Sequence, residues 1–300
     1  MRNLLLLTLM VGIIGLTNCK KDRTETVVKE VYQSPQSYFD SHKQDEQEFV
    51  ITGPGTEPIV GEQGTKIYQS KDIFTYPNGD TISYPYTIKL VELYTPADMV
   101  YYGVFPVSDG NMLTTAGELR IRAFKDNQEL VLRPGYSYKV LFPTDENNMP
   151  LYLYRGIDDG NGNINWSNTN TLATYVQDSA ANVSGYYYQF FSQFLNWINC
   201  DRFNNVTTTT ISFDSETDSV ETIPKFLYLP DYDGVMEVLG KTAQVPANTQ
   251  VKFLALGLNT DGDLYYYYQE FTSTPGTVIN ITMAQTTDAY VTQLLESWGQ

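Results

Sequence analysis

The sequence has 300 residues, 24 of them tyrosine, and a formal net charge of −16. The length allows one large core or two smaller ones, and the tyrosine content favours β-structure, because tyrosine suits half-buried strands. The acidic balance argues against nucleic acid as a partner, since the chain would repel phosphate groups.

The sequence contains one histidine, His42, and two cysteines, Cys19 and Cys200. His42 falls in a segment that we interpret as a polar tether, so we expect no histidine-containing triad in the folded part. The same count argues against a zinc site of cysteine and histidine ligands. We expect no metal or cofactor, and a buried structural role for Cys200.

The first 18 residues predict a signal peptide. Met1-Arg2-Asn3 gives a positive start, and residues 4–16 form an apolar run that is too short to span a bilayer comfortably. Residues 16–19, Leu-Thr-Asn-Cys, resemble the lipobox of bacterial lipoproteins. The resemblance implies that Cys19 receives a diacylglycerol group and becomes the new N-terminus, which would anchor the protein to a membrane.

Residues 19–48 are mostly polar and predict a flexible tether. Lys20 follows the cysteine, where an aspartate would signal retention at the inner membrane. The run of lysine and acidic residues after Cys19 resembles the export signals of Bacteroidota surface lipoproteins. The resemblance implies an outer-membrane lipoprotein that is exposed at the cell surface.

From residue 49 the sequence becomes a series of short alternating segments, and we predict a β-domain over residues 49–147. Asn78-Gly79 is a strong hairpin signal, and residues 86–93 alternate over a full strand. Further strands are predicted over 118–124 and 136–142. Short strands at this spacing, with turn residues between them, predict a β-sandwich.

Five motifs in this part of the chain occur in a recognisable order. They are Gly-Thr-Lys-Ile at 64–67, Tyr-Thr-Pro-Ala-Asp-Met at 94–99, Leu-Thr-Thr-Ala-Gly at 113–117, Leu-Arg-Pro-Gly at 132–135 and Trp-Ile-Asn-Cys-Asp-Arg-Phe at 197–203. Together they resemble the ZU5-like β-domains of Bacteroidota lipoproteins, over roughly residues 50 to 210. The resemblance implies architecture and location but supplies no activity. The His-Phe-Ser element of self-cleaving ZU5 proteins is absent from this sequence, so autoproteolysis is not implied.

Residues 148–205 read as an aromatic-rich connecting region, and residues 206–300 as a second β-domain. At its end, Thr287 is a plausible N-cap for a short helix whose apolar face would dock on that sheet. The predicted fold is therefore mostly β, with two β-sandwich-like modules after the tether and a short C-terminal helix.

Two tyrosine runs are the candidate binding surface. Alternation places neighbouring rings on opposite faces of a strand, so one face packs and the other can meet a sugar or a protein. Packing alone explains the rings as well, because tyrosine is favoured in strands. The candidate residues are Tyr186, Tyr188, Tyr265, Tyr266, Tyr267 and Tyr268.

The acidic residues offer two further interpretations. Residues 159–163, Asp-Gly-Asn-Gly-Asn, partly match a calcium loop, but Asn170 stands where an EF-hand needs glutamate. A turn that needs glycine and asparagine for positive φ explains the same residues, and we prefer that interpretation. Paired carboxylates could run glycoside hydrolysis, and four are available: Glu92, Glu118, Asp201 and Asp231. Spacing in the sequence brings no two of them together, so we predict no catalytic residues.

We therefore expect a lipid-anchored envelope protein that binds non-covalently or acts as a structural component, and not an enzyme. Its partners would be the membrane, through the lipid, and a glycan or an envelope protein. Two alternatives stay open: a carboxylate-dependent carbohydrate-active enzyme, and a subunit of an outer-membrane assembly.

Overall fold

The structure is a computed structural model that describes residues 31–145, 149–215 and 223–299. The predicted signal peptide, Cys19 and the first part of the tether lie outside the described residues. The described part is mostly β and contains two β-sandwich-like modules, as the sequence predicts, together with a short C-terminal helix.

The first module is a sandwich of two sheets with a shared apolar core. Its strands are β1 (Gln47–Ile51), β2 (Ile59–Val60), β3 (Lys66–Tyr68), β4 (Phe74–Thr75), β5 (Tyr86–Leu93), β6 (Val107–Ser108), β7 (Asn111–Lys125), β8 (Gln128–Glu129), β9 (Val131–Leu132), β10 (Tyr138–Thr144), β11 (Tyr152–Asp158), β12 (Ile164–Leu172), β13 (Thr174–Asp178), β14 (Gly185–Ser192) and β15 (Asn196–Phe203). One sheet has the order β1-β5-β7-β15-β11-β12, and the other has β13-β14-β10-β3-β2. Alternate residues such as Leu90, Ile121 and Val140 fill the space between the sheets.

Residues 148–205, predicted as a connecting region, instead supply five strands of this sandwich, β11 to β15. Strand β15 pairs with β7 on one side and with β11 on the other, so it lies inside the larger sheet. Pairing partners that lie far apart in sequence leave no periodic signal, and alternation alone does not assign a strand to a sheet.

The second module is a smaller sandwich, with a core that includes Phe213, Val245 and Phe253. Its strands are β16 (Thr208–Ser215), β17 (Lys225–Leu229), β18 (Gly234–Glu237), β19 (Thr242–Pro246), β20 (Gln250–Leu258), β21 (Leu264–Thr272), β22 (Val278–Ile281) and β23 (Ala284–Gln285). The sheet β19-β16-β22 faces the sheet β18-β17-β20-β21-β23.

Three short helices form a layer on the second face of the larger sheet of this module. They are α1 (Pro35–His42), α2 (Pro96–Tyr102) and α3 (Asp288–Glu296), and we call them the helical layer. Side chains from all three helices share one apolar cluster with strands β17 and β20. As predicted, Thr287 caps α3 by accepting a hydrogen bond from the backbone N–H of Tyr290, and Val291 and Leu295 are buried.

Helix α2 connects the two modules. In sequence it lies between β5 and β6 of the first module, and Met99 packs with Val91 and Trp197 on the outer face of that module's larger sheet. On the other side, Val100 and Tyr101 enter the cluster of the helical layer. The helix is only two turns long, and a Thr95–Asp98 capping box together with Pro96 starts it.

The tether prediction is wrong for the described residues 31–48, which pack into the fold. Tyr38 of α1 is fully buried and Phe39 nearly so, and strand β1 begins at Gln47. The polar composition of the segment concealed this, because a few aromatic side chains are enough to dock a helix of eight residues. None of the helices in the described ranges is long and apolar enough to cross a membrane.

Candidate functional site

A cleft of about 560 Å³ opens between the two modules, and we call it the inter-module cleft. One wall is the end of the first sandwich, where β5, β7, β10 and β11 begin or end. The other wall is the turn at 230–233 of the second module. The lining residues are Gln63, Tyr94, Thr114, Thr115, Ala116, Gly117, Pro143, Thr144, Asp145, Met149, Leu151, Tyr188, Pro230, Asp231, Tyr232 and Asp233.

A β-bulge shapes the floor of the cleft. Strands β7 and β15 shift register between Asn199 and Asp201, so that Glu118 lies opposite Asn199 and Thr115 lies opposite Asp201. Gly117 sits in the bulge with a φ of 120°, and a Cβ atom there would lie 2.2 Å from the ring of Tyr94. Only glycine fits this position, which lets the ring of Tyr94 approach the strand closely.

Glu92 holds the loop that brings Gln63 to the cleft. Its buried carboxylate accepts hydrogen bonds from the backbone N–H groups of Gln63 and Thr65, both at 2.9 Å, and from Nε2 of Gln47 at 2.8 Å. The hydroxyls of Thr65 and Tyr94 lie 2.7 Å apart and hydrogen-bond. Burial, followed by the nearby charge of Glu92, raises the pKa of Tyr94 well above its usual value. Glu92 therefore has a structural role beside the cleft.

Two other buried carboxyls, Glu118 and Asp201, lie together behind the cleft floor. Both are 0% exposed. Asp201 accepts a hydrogen bond from Nδ2 of Asn199, whose Oδ1 in turn accepts one from Thr115 Oγ1 at 3.2 Å. Within the described residues, both carboxyl oxygens of Glu118 and Oδ1 of Asp201 have no hydrogen-bond partner. Burial raises the pKa of both groups well above the ordinary range, and the charge of Asp201 raises that of Glu118 further.

The second-module wall offers oxygen acceptors to a ligand. Asp231 is exposed and Tyr232 half-buried, and Oδ1 of Asp233 accepts a hydrogen bond of 3.3 Å from the hydroxyl of Tyr228. Asp145 stands on the opposite wall. Among the described residues that line the cleft, none is lysine, arginine or histidine, and the charged ones are Asp145, Asp231 and Asp233, so the lining itself carries only negative charge.

The four tyrosines of β21 are all half-buried, and both faces of the strand are in contact with the protein. Tyr266 and Tyr268 pack on the helical layer, with the ring of Tyr266 5.0 Å from that of Tyr290. Tyr267 packs in the core of the second module. Tyr265 lines a second cavity, of about 650 Å³, between the edges of the two sheets of that module.

The two tyrosines predicted from β14 lie on the core side of the first module. Tyr188 is buried, borders the inter-module cleft and accepts a hydrogen bond of 3.0 Å from the N–H of Met149. Tyr186 stacks on Tyr175 with a ring distance of 5.6 Å. Of the six tyrosines, the structure thus brings Tyr188 to the inter-module cleft and Tyr265 to the second cavity.

His42 lies in the folded part, which corrects its placement in a tether. Its Nε2 is 2.9 Å from Oδ1 of Asp288, and its Nδ1 is 2.8 Å from the carbonyl oxygen of Tyr38. The contact with Asp288 joins α1 to α3. The hydroxyl of Ser41 lies 3.1 Å from the same Nδ1. Because that nitrogen also contacts the carbonyl oxygen of Tyr38, Ser41 and His42 are not arranged as a nucleophile and its base.

The acidic turn at 159–163 closes the β11–β12 hairpin. Oδ1 of Asp159 accepts hydrogen bonds from the backbone N–H groups of Asn161 and Asn163. The side-chain amide of Asn163 is the main cause that lowers the pKa of Asp159. The described residues contain no group of three or more histidine, cysteine or acidic side chains placed to hold a metal ion. Cys200 is fully buried and free, as expected for a structural cysteine.

The sequence indicates Glu118, Asp201 and Asp231 as candidate carboxylates but not how they lie relative to one another, and Thr115 and Tyr232 are not among its candidate residues. One signal was available, since Tyr94 and residues 114–117 of the cleft belong to two of the five motifs. The 230–233 turn carries no comparable signal. Its position over the first module depends on the helical layer, which only the fold reveals.

The fold and the cleft define a two-module, mostly β protein with a polar cavity at the module boundary. No protein-family model matches the sequence, and neither does any curated protein. Among solved structures, the crystal structure of a gamma-CGTase from alkalophilic Bacillus clarkii matches with a TM-score of 0.20 and 10% identity. That match covers 75% of this chain and 40% of the other, and a likeness this low carries no argument about fold or function.

Proposed function

We propose that this chain is a lipoprotein of the cell envelope that binds an uncharged glycan in the inter-module cleft. The leader and Cys19 support the anchor, and the outer membrane is the compartment that Lys20 favours.

The observation that carries the binding proposal is a cleft whose two walls are held together by a buried layer. Ligand sites occur preferentially at domain boundaries and are usually preformed. Helix α2 is packed on both sides, against Trp197 on the first module and Phe226 on the second. The turn at 230–233 therefore stands at a defined distance from Thr115 and Tyr94, and a ligand has little conformational entropy to remove.

The chemistry of the walls favours a sugar. Carboxylates such as Asp145 and Asp231 accept hydrogen bonds from hydroxyl groups, and tyrosine rings such as Tyr232 offer an apolar face with a polar edge. With no cationic side chain among the described lining residues, an anionic sugar or a phosphate would be repelled. Neutral oligosaccharides offer hydroxyl groups to the carboxylates and an apolar face to the ring, and they carry no negative charge that the cleft would repel.

Titration of the signal-free protein with a panel of neutral and acidic oligosaccharides tests the proposal. Isothermal calorimetry should detect neutral glycans, with affinity reduced about tenfold or more by Tyr232→Ala or Asp231→Asn. Asp261→Asn is the matched control, because Asp261 is an exposed turn residue outside the cleft. Unchanged binding in both cleft variants, or preference for acidic glycans, would remove the proposal.

The anchor has its own test. The mature protein should carry diacylglycerol on Cys19, visible by intact-mass spectrometry, and Cys19→Ser should leave the protein free of membranes. An unmodified Cys19 in the mature protein would overturn the envelope assignment and leave the cleft proposal standing.

The glycan panel also tests the enzymatic alternative. Glu118 and Asp201 are neighbours, but neither exposes any surface, whereas glycosidic carboxylates must reach the sugar. Product analysis after incubation should recover each glycan intact. Hydrolysis that disappears in Glu118→Gln would replace binding with catalysis.

A further inference from the structure

Glu118 and Asp201 are an unusual pair because they are buried without a cation. The side chains project from neighbouring strands to the outer face of the larger sheet, where Leu93 lies opposite Glu118 and Tyr152 opposite Asp201. Three of their four oxygens make no hydrogen bond within the described residues. Carboxylates in such a place lose their hydration, and the single hydrogen bond from Asn199 to Asp201 replaces little of it.

The groups around the pair do not neutralise two negative charges. Asn199 and Thr115 are neutral, and the pKa values of Tyr154 and Cys200 are themselves raised by burial and by the charge of Asp201, which keeps both uncharged. The nearest cation along β7 is Arg120, whose guanidinium lies over the ring of Trp197 and 3.5 Å from Glu46. Arg120 thus already has a carboxylate partner.

We propose that Glu118 and Asp201 hold one proton between them at neutral pH, and that this proton keeps the cleft floor in place. One carboxyl is then neutral and the pair carries a single negative charge, which Asn199 stabilises. Loss of the proton to solvent would leave two carboxylates in the interior. The effect of this proton on the cleft rests on the proposed function, whereas the sharing of the proton does not depend on it.

A chain of hydrogen bonds links the pair to the cleft. Asn199 donates to Asp201 and accepts from Thr115, and the hydroxyl of Thr115 accepts a hydrogen bond of 2.9 Å from the N–H of Gly117. Thr115 and Gly117 line the cleft. Repulsion between two carboxylates would pull on the bulge that carries Thr115 and Gly117. A rise in pH should therefore change ligand affinity through this chain of hydrogen bonds.

The sign of the pH effect follows from proton linkage. The unfolded chain releases the proton of Glu118 near pH 4.3, whereas the folded chain keeps it to a higher pH. Above about pH 4.3, therefore, the folded state binds one proton more than the unfolded state, and raising the pH favours unfolding. The unfolding equilibrium constant should rise about tenfold per pH unit from this pair, until the pair ionises in the folded state.

Urea unfolding of the full chain between pH 5 and pH 8 tests the proton. Relative to the wild type, Glu118→Gln should become progressively more stable as the pH rises, because its amide cannot ionise. Glu129→Gln, at an exposed position, should track the wild type. Parallel curves for Glu118→Gln and the wild type would overturn the proposal, as would stabilisation of the wild type by calcium or magnesium that Glu118→Gln abolishes, since a cation would then occupy the site.

Two further measurements keep the test decisive if a variant folds poorly. Infrared spectra of the wild type in D₂O should show a protonated carboxyl band at pH 7, and its absence would refute the shared proton. Glycan affinity of the wild type should fall between pH 6 and pH 8. A glycan affinity that does not change with pH, together with the infrared band, would refute only the proposed effect of the proton on the cleft. The absence of glycan binding at any pH would instead refute the proposed function.

Discussion

At the scale of single residues, two buried glutamates in neighbouring strands behave oppositely. Glu92 satisfies three donors, whereas Glu118 satisfies none in the described part of the chain. Removal of Glu92 leaves buried N–H groups unpaired, which costs free energy. Replacement of Glu118 by glutamine breaks no side-chain hydrogen bond in the described part of the chain. Burial alone therefore does not predict what a substitution does.

The environment of Glu92 gives a double-mutant test. Glu92→Ala should reduce the free energy of unfolding by about 3 kcal/mol, because the N–H groups of Gln63 and Thr65 lose their acceptor. A Cβ added at Gly61 would lie 2.5 Å from the Glu92 carboxylate, so Gly61→Ala should also destabilise. In the double variant the clash disappears. The loss of unfolding free energy in the double variant should therefore be smaller than the sum of the two single losses, by about 1 kcal/mol or more. Strictly additive urea-unfolding values would contradict this arrangement.

The thiol of Cys200 should report on opening of the first module. Burial, and after it the charge of Asp201, raises its pKa well above the usual value, so the reactive thiolate is scarce in the folded state. In the mature protein, where Cys19 would carry the lipid, labelling by a thiol reagent should be slow in buffer and fast in urea. Rapid labelling of the native protein would show that the strand is accessible.

At the scale of elements, alternation and caps predict those segments whose local signals agree with their final environment. Residues 86–93 form a strand with the predicted bounds, and Thr287 caps the helix as expected. The sequence did not predict helices α1 and α2, because seven or eight residues show too little periodicity. Their stability comes from burial between sheets that are distant in sequence.

The proximity of Glu118 and Asp201 could not be predicted from the sequence for a related reason. The two residues belong to strands separated by seven others, and one extra residue in the bulge decides which side chains share a face. The tyrosines of β21 were recognised as unusual, but the coverage of both faces follows from the sheet order and the helical layer. Residue type thus suggested candidates, and topology selected among them.

The cap of α2 is a test at this scale. Thr95 accepts a hydrogen bond from the N–H of Asp98, and Asp98 in turn accepts from Thr95. Thr95→Ala should lower the free energy of unfolding by about 1 kcal/mol, whereas Thr95→Ser, which retains the hydroxyl, should cost only a few tenths. Equal thermal midpoints for the two variants would show that the cap does not hold this helix.

At the scale of the whole molecule, the helical layer should make the two modules unfold together. Leu295 is fully buried in the cluster that α1, α2 and α3 share with β17 and β20, and Leu295→Ala should cost about 3 kcal/mol. Leu239→Ala is the control, since Leu239 is 82% exposed. Calorimetry should show one transition that shifts as a whole. Two transitions, of which only one moves, would mean that the modules fold independently and that the cleft is not preformed.

The boundary between tether and fold can be tested by truncation, because the sequence and the structure place it differently. Removal of residues 1–30 should leave the thermal midpoint unchanged, since the chain from residue 31 onward forms a compact unit of its own. Removal of residues 1–45 also deletes α1, and with it Tyr38, Phe39 and the contact between His42 and Asp288. Burial of the two aromatic side chains alone is worth about 4 kcal/mol, so the longer truncation should lower the midpoint by several degrees and expose the sheet beneath. If both truncations melted alike, α1 would be dispensable, and the tether would extend at least to residue 45, in line with the tether predicted over residues 19–48.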